Sequence, residues 1–124
     1  MKKLFLVKLF ILIIGLSISA YAQMQIESGT WETNINHRNY NLDKNEGNRD
    51  VVVEITFDVP FDEKPDVVLG VTMLDMNTKQ NTRYRVTALS ISRDGFTIKV
   101  ATWADTQIYG ISGYWMAYAK KTME

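Results

Sequence analysis

Residues 96–118, FTIKVATWADTQIYGISGYWMAY, decide the fold. Phe96, Ile98 and Val100 alternate with Thr97, Lys99 and Ala101, the two-residue period of a half-buried strand. A polar loop carrying Trp103, Asp105 and Tyr109 follows, and then a strand that is apolar on both faces. Ile111, Gly113, Trp115 and Ala117 share one of those faces; Tyr114, Met116 and Tyr118 share the other, after Ser112. With Phe96 pointing inward, Trp103 falls in register with Thr97, Lys99 and Ala101, on the polar side. A large aromatic at the mouth of a loop, set against water, is expected to meet a ligand or a partner. An exposed row of Tyr, Met and Tyr likewise has the composition of an interface between subunits. The alternative for that row is a central strand covered by the long Asn-rich loop upstream.

Working outward, the other apolar runs are short and evenly spaced. Gln25–Trp31 alternates loosely as a first strand, and Val51, Val53, Ile55 and Phe57 share a face. Asp66–Leu74 and Arg83–Ser92 are two more runs. Between them lie turn chemistry and breakers: the Asn-rich stretch 33–50, Pro60 to Pro65, DMNTKQNT at 75–82, and Arg93-Asp94-Gly95. Nowhere do apolar residues recur at helical spacing for three turns. The pattern predicts an all-β antiparallel sandwich.

Before that domain stand residues of a different kind. Lys2, Lys3 and Lys8, the apolar run Leu9–Leu16 and the small-x-small triplet Ala20-Tyr21-Ala22 make residues 1–22 read as a cleaved secretory signal peptide. The apolar run is too short to span a bilayer, and no Cys follows it to carry a lipid. Residues 23–124 then form one domain, exported to the periplasm, the cell surface or beyond. All 14 acidic residues lie there, but three of the 14 basic ones do not, which leaves a formal charge of −3. That balance offers no basic footprint for nucleic acid or an anionic membrane. With no cysteine in the chain, stability is expected to come from the core or from association with copies of itself.

Catalytic constellations are absent from the sequence. His37 is the sole histidine and sits in the polar loop; no Ser–His–Asp order, phosphate-cradling glycine loop or His/Cys metal cluster can be assembled around it. Asp43, Glu46 and Asp50 lack the spacing of a known calcium loop. The reading is therefore a binding protein without cofactor or metal. Paired carboxylates for glycoside cleavage stay open, since their separation is a property of the fold.

Taken in order, several short pieces resemble the H-type lectin domain of snail agglutinins and discoidins. They are Ile26-Glu27-Ser28-Gly29, Ile55-Thr56-Phe57, Pro65 to Leu69, Thr72, Leu74-Asp75, Gln80-Asn81, Arg83, Gly95-Phe96, Thr102-Trp103, Thr106, Tyr109 and Trp115. The resemblance implies a six-stranded antiparallel β-sandwich assembling as a homotrimer, or as a pair of trimers. It also implies N-acetylgalactosamine or galactose-type glycans bound where protomers meet. The family's binding arginine falls on Arg83, its stacking tryptophan on Trp103 and its pocket tyrosine on Tyr109. Its acidic loop residue falls on Glu46, or on Asp43 with the gap placed differently. Two features depart from the pattern: Ala104 stands where the snail agglutinin has a histidine, and the structural cysteines are missing. Asp105 is then placed either to take over a hydroxyl contact or to stabilise the loop.

Those residue types suit a sugar. A pyranose presents an apolar C–H face, which an indole matches, and a rim of hydroxyls for carboxylates and a forked guanidinium. Each residue also has a plainer role open to it. Trp103 could pack in the core or the trimer, Arg83 could pair with Asp75 across the turn, and Tyr109 could bond the backbone. Arg85, two residues after Arg83, is expected at the subunit contact. An assembly or adhesion module with a vestigial pocket is the alternative function.

Overall fold

The computed structural model describes residues 23–122, and Lys3 besides. Apart from Lys3, the expected leader lies outside the described residues. Six strands follow in order: β1 (Gln23–Asn34), β2 (Arg49–Thr56), β3 (Asp66–Met76), β4 (Arg85–Leu89), β5 (Gly95–Thr102) and β6 (Ile108–Lys121). They form two three-stranded antiparallel sheets, ordered β1-β6-β3 and β2-β5-β4. The expected all-β sandwich is what the chain forms. Among the described residues no helix is long and apolar enough to cross a membrane.

Strand parity builds the core. Phe96, Ile98 and Val100 of β5 and Ile111, Trp115 and Ala117 of β6 are buried. Phe57, Phe61, Phe96 and Trp115 pack with ring centroids 4.8–5.8 Å apart, near the edge-to-face and tilted spacings that aromatic quadrupoles favour. Leu42 reaches into the same core from the Asn-rich stretch and is fully buried. Large rings lie over glycines of neighbouring strands. Trp115 covers Gly29, and Trp31 covers Gly113 while its Nε1 donates to the Tyr114 carbonyl at 3.2 Å. On the outer face Tyr114 covers Gly70 in the same way.

β6 is the middle strand of its sheet, yet its outer face is open: Tyr114 is 48% exposed and Met116 36%. Ile26 lies directly across from Tyr118, and Val68 directly across from Met116; both are exposed and widen the apolar patch. The Asn-rich loop does not cover it. That loop instead turns to the far end of β6, where Ile35 donates to the Tyr109 carbonyl and Ile108 donates to the Leu42 carbonyl.

Several boundaries differ from the sequence reading: β2 runs Arg49–Thr56 rather than 51–57, β3 reaches Met76 rather than Leu74, and β4 stops at Leu89 rather than Ser92. β1 is longer than Gln25–Trp31, because all 12 of its residues pair with β6. β4 begins at Arg85 rather than Arg83, because the Arg83 carbonyl is taken by the Thr102 hydroxyl at 2.5 Å.

Candidate functional site

The β5–β6 connection, residues 103–107, is the centre of the site, and a buried cation fixes its shape. Arg49, 6% exposed at the head of β2, sends its guanidinium under this connection. Its Nη2 donates to the Ala104 carbonyl at 2.7 Å, its Nη1 to the Thr106 and Leu42 carbonyls at 2.8 and 3.4 Å, and its Nε to the Gly47 carbonyl at 3.0 Å. Burial pushes the Arg49 pKa down, and Asp43 and Asp105 oppose that shift. A guanidinium keeps its charge through such a change. One side chain thereby ties two loops together. Gln107 adds a bond from its Nε2 to the Asp43 carbonyl at 3.0 Å.

On the other flank the Thr106 hydroxyl donates to the Asn81 carbonyl at 2.5 Å. Arg83 Nη1 lies 2.6 Å from Asp105 Oδ1 and 3.2 Å from Thr106 Oγ1. So fastened, Ala104 holds a left-handed φ of 57°, a conformation with a real cost for a residue carrying a Cβ.

Trp103 emerges from this frame 37% exposed, with the Arg85 guanidinium carbon 5.8 Å from its ring centroid. Beside them runs a groove of about 410 Å³ over the outer face of β2-β5-β4. Its walls are Asn48, Asp50, Arg85, Lys99, Ala101 and Trp103, with Arg49 and Thr102 completing the lining. The ladder explains the grouping, since Asp50 and Arg85 both lie across from Ala101, one on each side of β5. Lys99 Nζ stands 4.0 Å from Asp50 Oδ2, both side chains being well hydrated. A second groove, also about 410 Å³, lies on the other side of Asp50 and takes in Glu32, His37, Arg38, Tyr40 and Val52. Tyr40 closes it from within. Its hydroxyl donates to the Ile108 carbonyl at 2.6 Å, and burial first, then Asp43 and Asp75, raises its pKa.

The expected site residues are thus distributed unequally. Trp103 lines the groove at the predicted parity. Arg83 and Asp105 sit outside it and bond each other; Asp75 is not Arg83's partner. Asp43 contributes its carbonyl to the loop frame, and Glu46 is exposed beyond the lining. Tyr109 is half-buried at the head of β6, and no hydrogen bond, ion pair or ring contact among the described residues joins it to Trp103 or Arg83. Sequence reasoning missed Arg49, Asp50, Arg85 and Lys99 as members, Arg85 having been expected at the subunit contact. The parity of β5 had already set Lys99 beside Trp103, but bringing Asp50 and Arg85 to them takes the strand register. Among the described residues no group of three or more His, Cys, Asp or Glu side chains is placed to hold a metal ion.

Comparisons with known proteins give the family and, through solved structures, the fold. The family model of the H-type lectin domain matches residues 52–118. Native recombinant discoidin II of Dictyostelium discoideum superposes with a TM-score of 0.71 at 23% identity, over 83% of this chain and 40% of that one. The wild-type discoidin II structure superposes equally well, over 82% and 39%. A Fuscovulum blasticum protein described as ATP synthase subunits region ORF 7 is 38% identical over 71 residues, 57% of this chain. The match spans 62% of that relative's length.

Proposed function

The chain belongs to the H-type lectin domain family, and from that premise we propose that it is a secreted carbohydrate-binding protein. Its glycans are of the N-acetylgalactosamine or galactose type, held at the Trp103 groove, and it works as a homotrimer. The observation that carries this reading is the indole itself. Trp103 stands over a third exposed on a connection clamped by Arg49, so the platform is rigid before a ligand arrives. A preorganised aromatic face with polar groups at its rim is what a pyranose requires.

A shallow groove of this kind binds one sugar weakly, and repetition around a symmetry axis converts weak contacts into useful avidity. The open row Tyr114, Met116, Ile26 and Val68 supports the trimer, because a monomer would leave that apolar patch in water. Export follows from reading residues 1–22 as a cleaved leader.

A glycan array probed with the protein lacking residues 1–22 tests the function. Binding to galactose-type glycans, lost in Trp103→Ala with oligomer mass and melting unchanged, supports the lectin. Silence across all glycans from an intact trimer would make the protein an assembly module instead. Hydrolysis of a chromogenic galactoside that disappears on replacing Asp50 would make it an enzyme.

A further inference from the structure

We infer that the Trp103 groove takes an anionic sugar, a galactose-type ring bearing a carboxylate or a sulfate ester, in preference to its neutral counterpart. The inference rests on the proposed lectin function and deepens it.

Charge placement is the first argument. Residues 23–124 carry a formal −3, yet this groove brings together Arg49, Arg85 and Lys99 against the single carboxylate of Asp50. An acidic protein has concentrated cations where an indole is exposed.

Partner arithmetic is the second. Arg49 spends its N–H groups on four carbonyls, and no ion pair balances its charge among the described residues. Asp43 and Asp105 stand near enough to offset part of that charge, so the groove's free cations are chiefly Arg85 and Lys99. Arg85 lies over the Trp103 ring and makes no hydrogen bond or ion pair among the described residues, so the edge of its fork is unspent. Lys99 reaches Asp50 only at 4.0 Å, with 42% and 53% of the two side chains exposed. That contact is too long and too wet to hold the ammonium against a better anion.

The two cations flank Ala101, the small residue at the middle of the groove: Lys99 precedes it by one outward position of β5, and Arg85 lies across the ladder. A ring laid against the indole over Ala101 would put a substituent between them. A planar carboxylate or a sulfate can accept from the guanidinium fork and the ammonium together. A neutral hydroxymethyl group leaves both cations without a charge partner. Asp50 remains to accept from ring hydroxyls.

Titration calorimetry on the protein lacking residues 1–22 tests this with four probes: methyl galactoside, methyl N-acetylgalactosaminide, methyl galacturonide and galactose 6-sulfate. At low ionic strength at least one anionic probe is expected to bind tenfold or more tightly than methyl galactoside. That advantage should shrink as salt is raised. It should fall in Arg85→Gln and in Lys99→Gln but persist in Lys79→Gln, a lysine outside the groove. The galacturonide and the sulfate separate the two sources of charge, and tighter binding of either sustains the inference. Neutral sugars binding as tightly as anionic ones, with Trp103→Ala abolishing both, would overturn it while leaving the lectin standing. A preference unmoved by both groove variants would overturn it as well, by placing the anion elsewhere. Failure of all four probes would remove both readings.

Discussion

Replacing Arg49 should loosen the site and destabilise the fold together. The guanidinium serves four carbonyls, of which those of Ala104 and Gly47 belong to exposed residues and can turn to water. The Leu42 carbonyl keeps its bond from the Ile108 amide at 2.8 Å. The Thr106 carbonyl loses the partner it has at 2.8 Å, in a residue with no exposed surface. One stranded acceptor costs about 1–3 kcal/mol, and losing the charge-assisted bonds adds a similar amount, less the relief of no longer burying a charge. Arg49→Met should therefore cost about 3 kcal/mol, or roughly 12–24 °C in Tm for a domain of this size. Arg49→Lys keeps the charge but has one nitrogen where the fork had three, and should lose nearly as much. The assay is denaturant unfolding combined with iodide quenching of tryptophan emission. Trp31 and Trp115 are 3% and 7% exposed against 37% for Trp103, so iodide reports on Trp103. Quenching should change in both variants as the connection slackens. If Arg49→Lys unfolds within about 0.5 kcal/mol of the parent, the ordinary scatter of surface changes, and quenches identically, the clamp is not what shapes the site.

Four further substitutions have outcomes that follow from the geometry. Tyr40→Phe should cost about 1–2 kcal/mol by stranding the Ile108 carbonyl. The folded Tyr40 pKa is raised above its ordinary 10.0, so its contribution is complete below that pH and is lost as pH climbs past it. The parent should therefore shed up to about 1.4 kcal/mol per pH unit that Tyr40→Phe does not, as read from urea unfolding at pH 9 to 11. Gly113→Ala should cost about 3 kcal/mol, because the new Cβ meets the Gly70 carbonyl on the neighbouring strand. Gly47→Ala, into open space at φ +78°, should cost only about 1 kcal/mol of backbone strain by the same melting assay. Met116→Glu should convert the proposed trimer to folded monomer in sedimentation velocity; an unchanged mass would place the seam elsewhere.

The sandwich was legible because parity is a local property. β2 and β5 each carry their own two-residue alternation, and the outward placement of Trp103 follows from counting along β5 alone. That Tyr114 and Met116 share a face was legible for the same reason, but not their exposure, since a cover from the Asn-rich loop stood open until the structure showed the row bare. The rest depends on chain segments far apart in sequence. Arg49 reads as one more polar residue at the end of an Asn-rich stretch, and only carbonyls 55 and 57 residues away give it a buried role. Arg83 had a ligand role or a pair with Asp75 across the turn open to it, but the chain delivers Asp105 to it from the next connection. Asp50, Arg85 and Lys99 become neighbours only through the register of three strands. Side-chain alternation does not encode that register.

The positive φ of Ala104 has a consequence for altering recognition. Alanine is a poor tenant of the left-handed region, whereas glycine, asparagine and histidine occupy it more readily. Replacing it with any of the three would relieve torsional discomfort, and asparagine or histidine would also present a new polar group one residue from the indole. If the proposed sugar site is right, position 104 is where ligand choice could be altered with the Arg49 bond to its carbonyl kept in place.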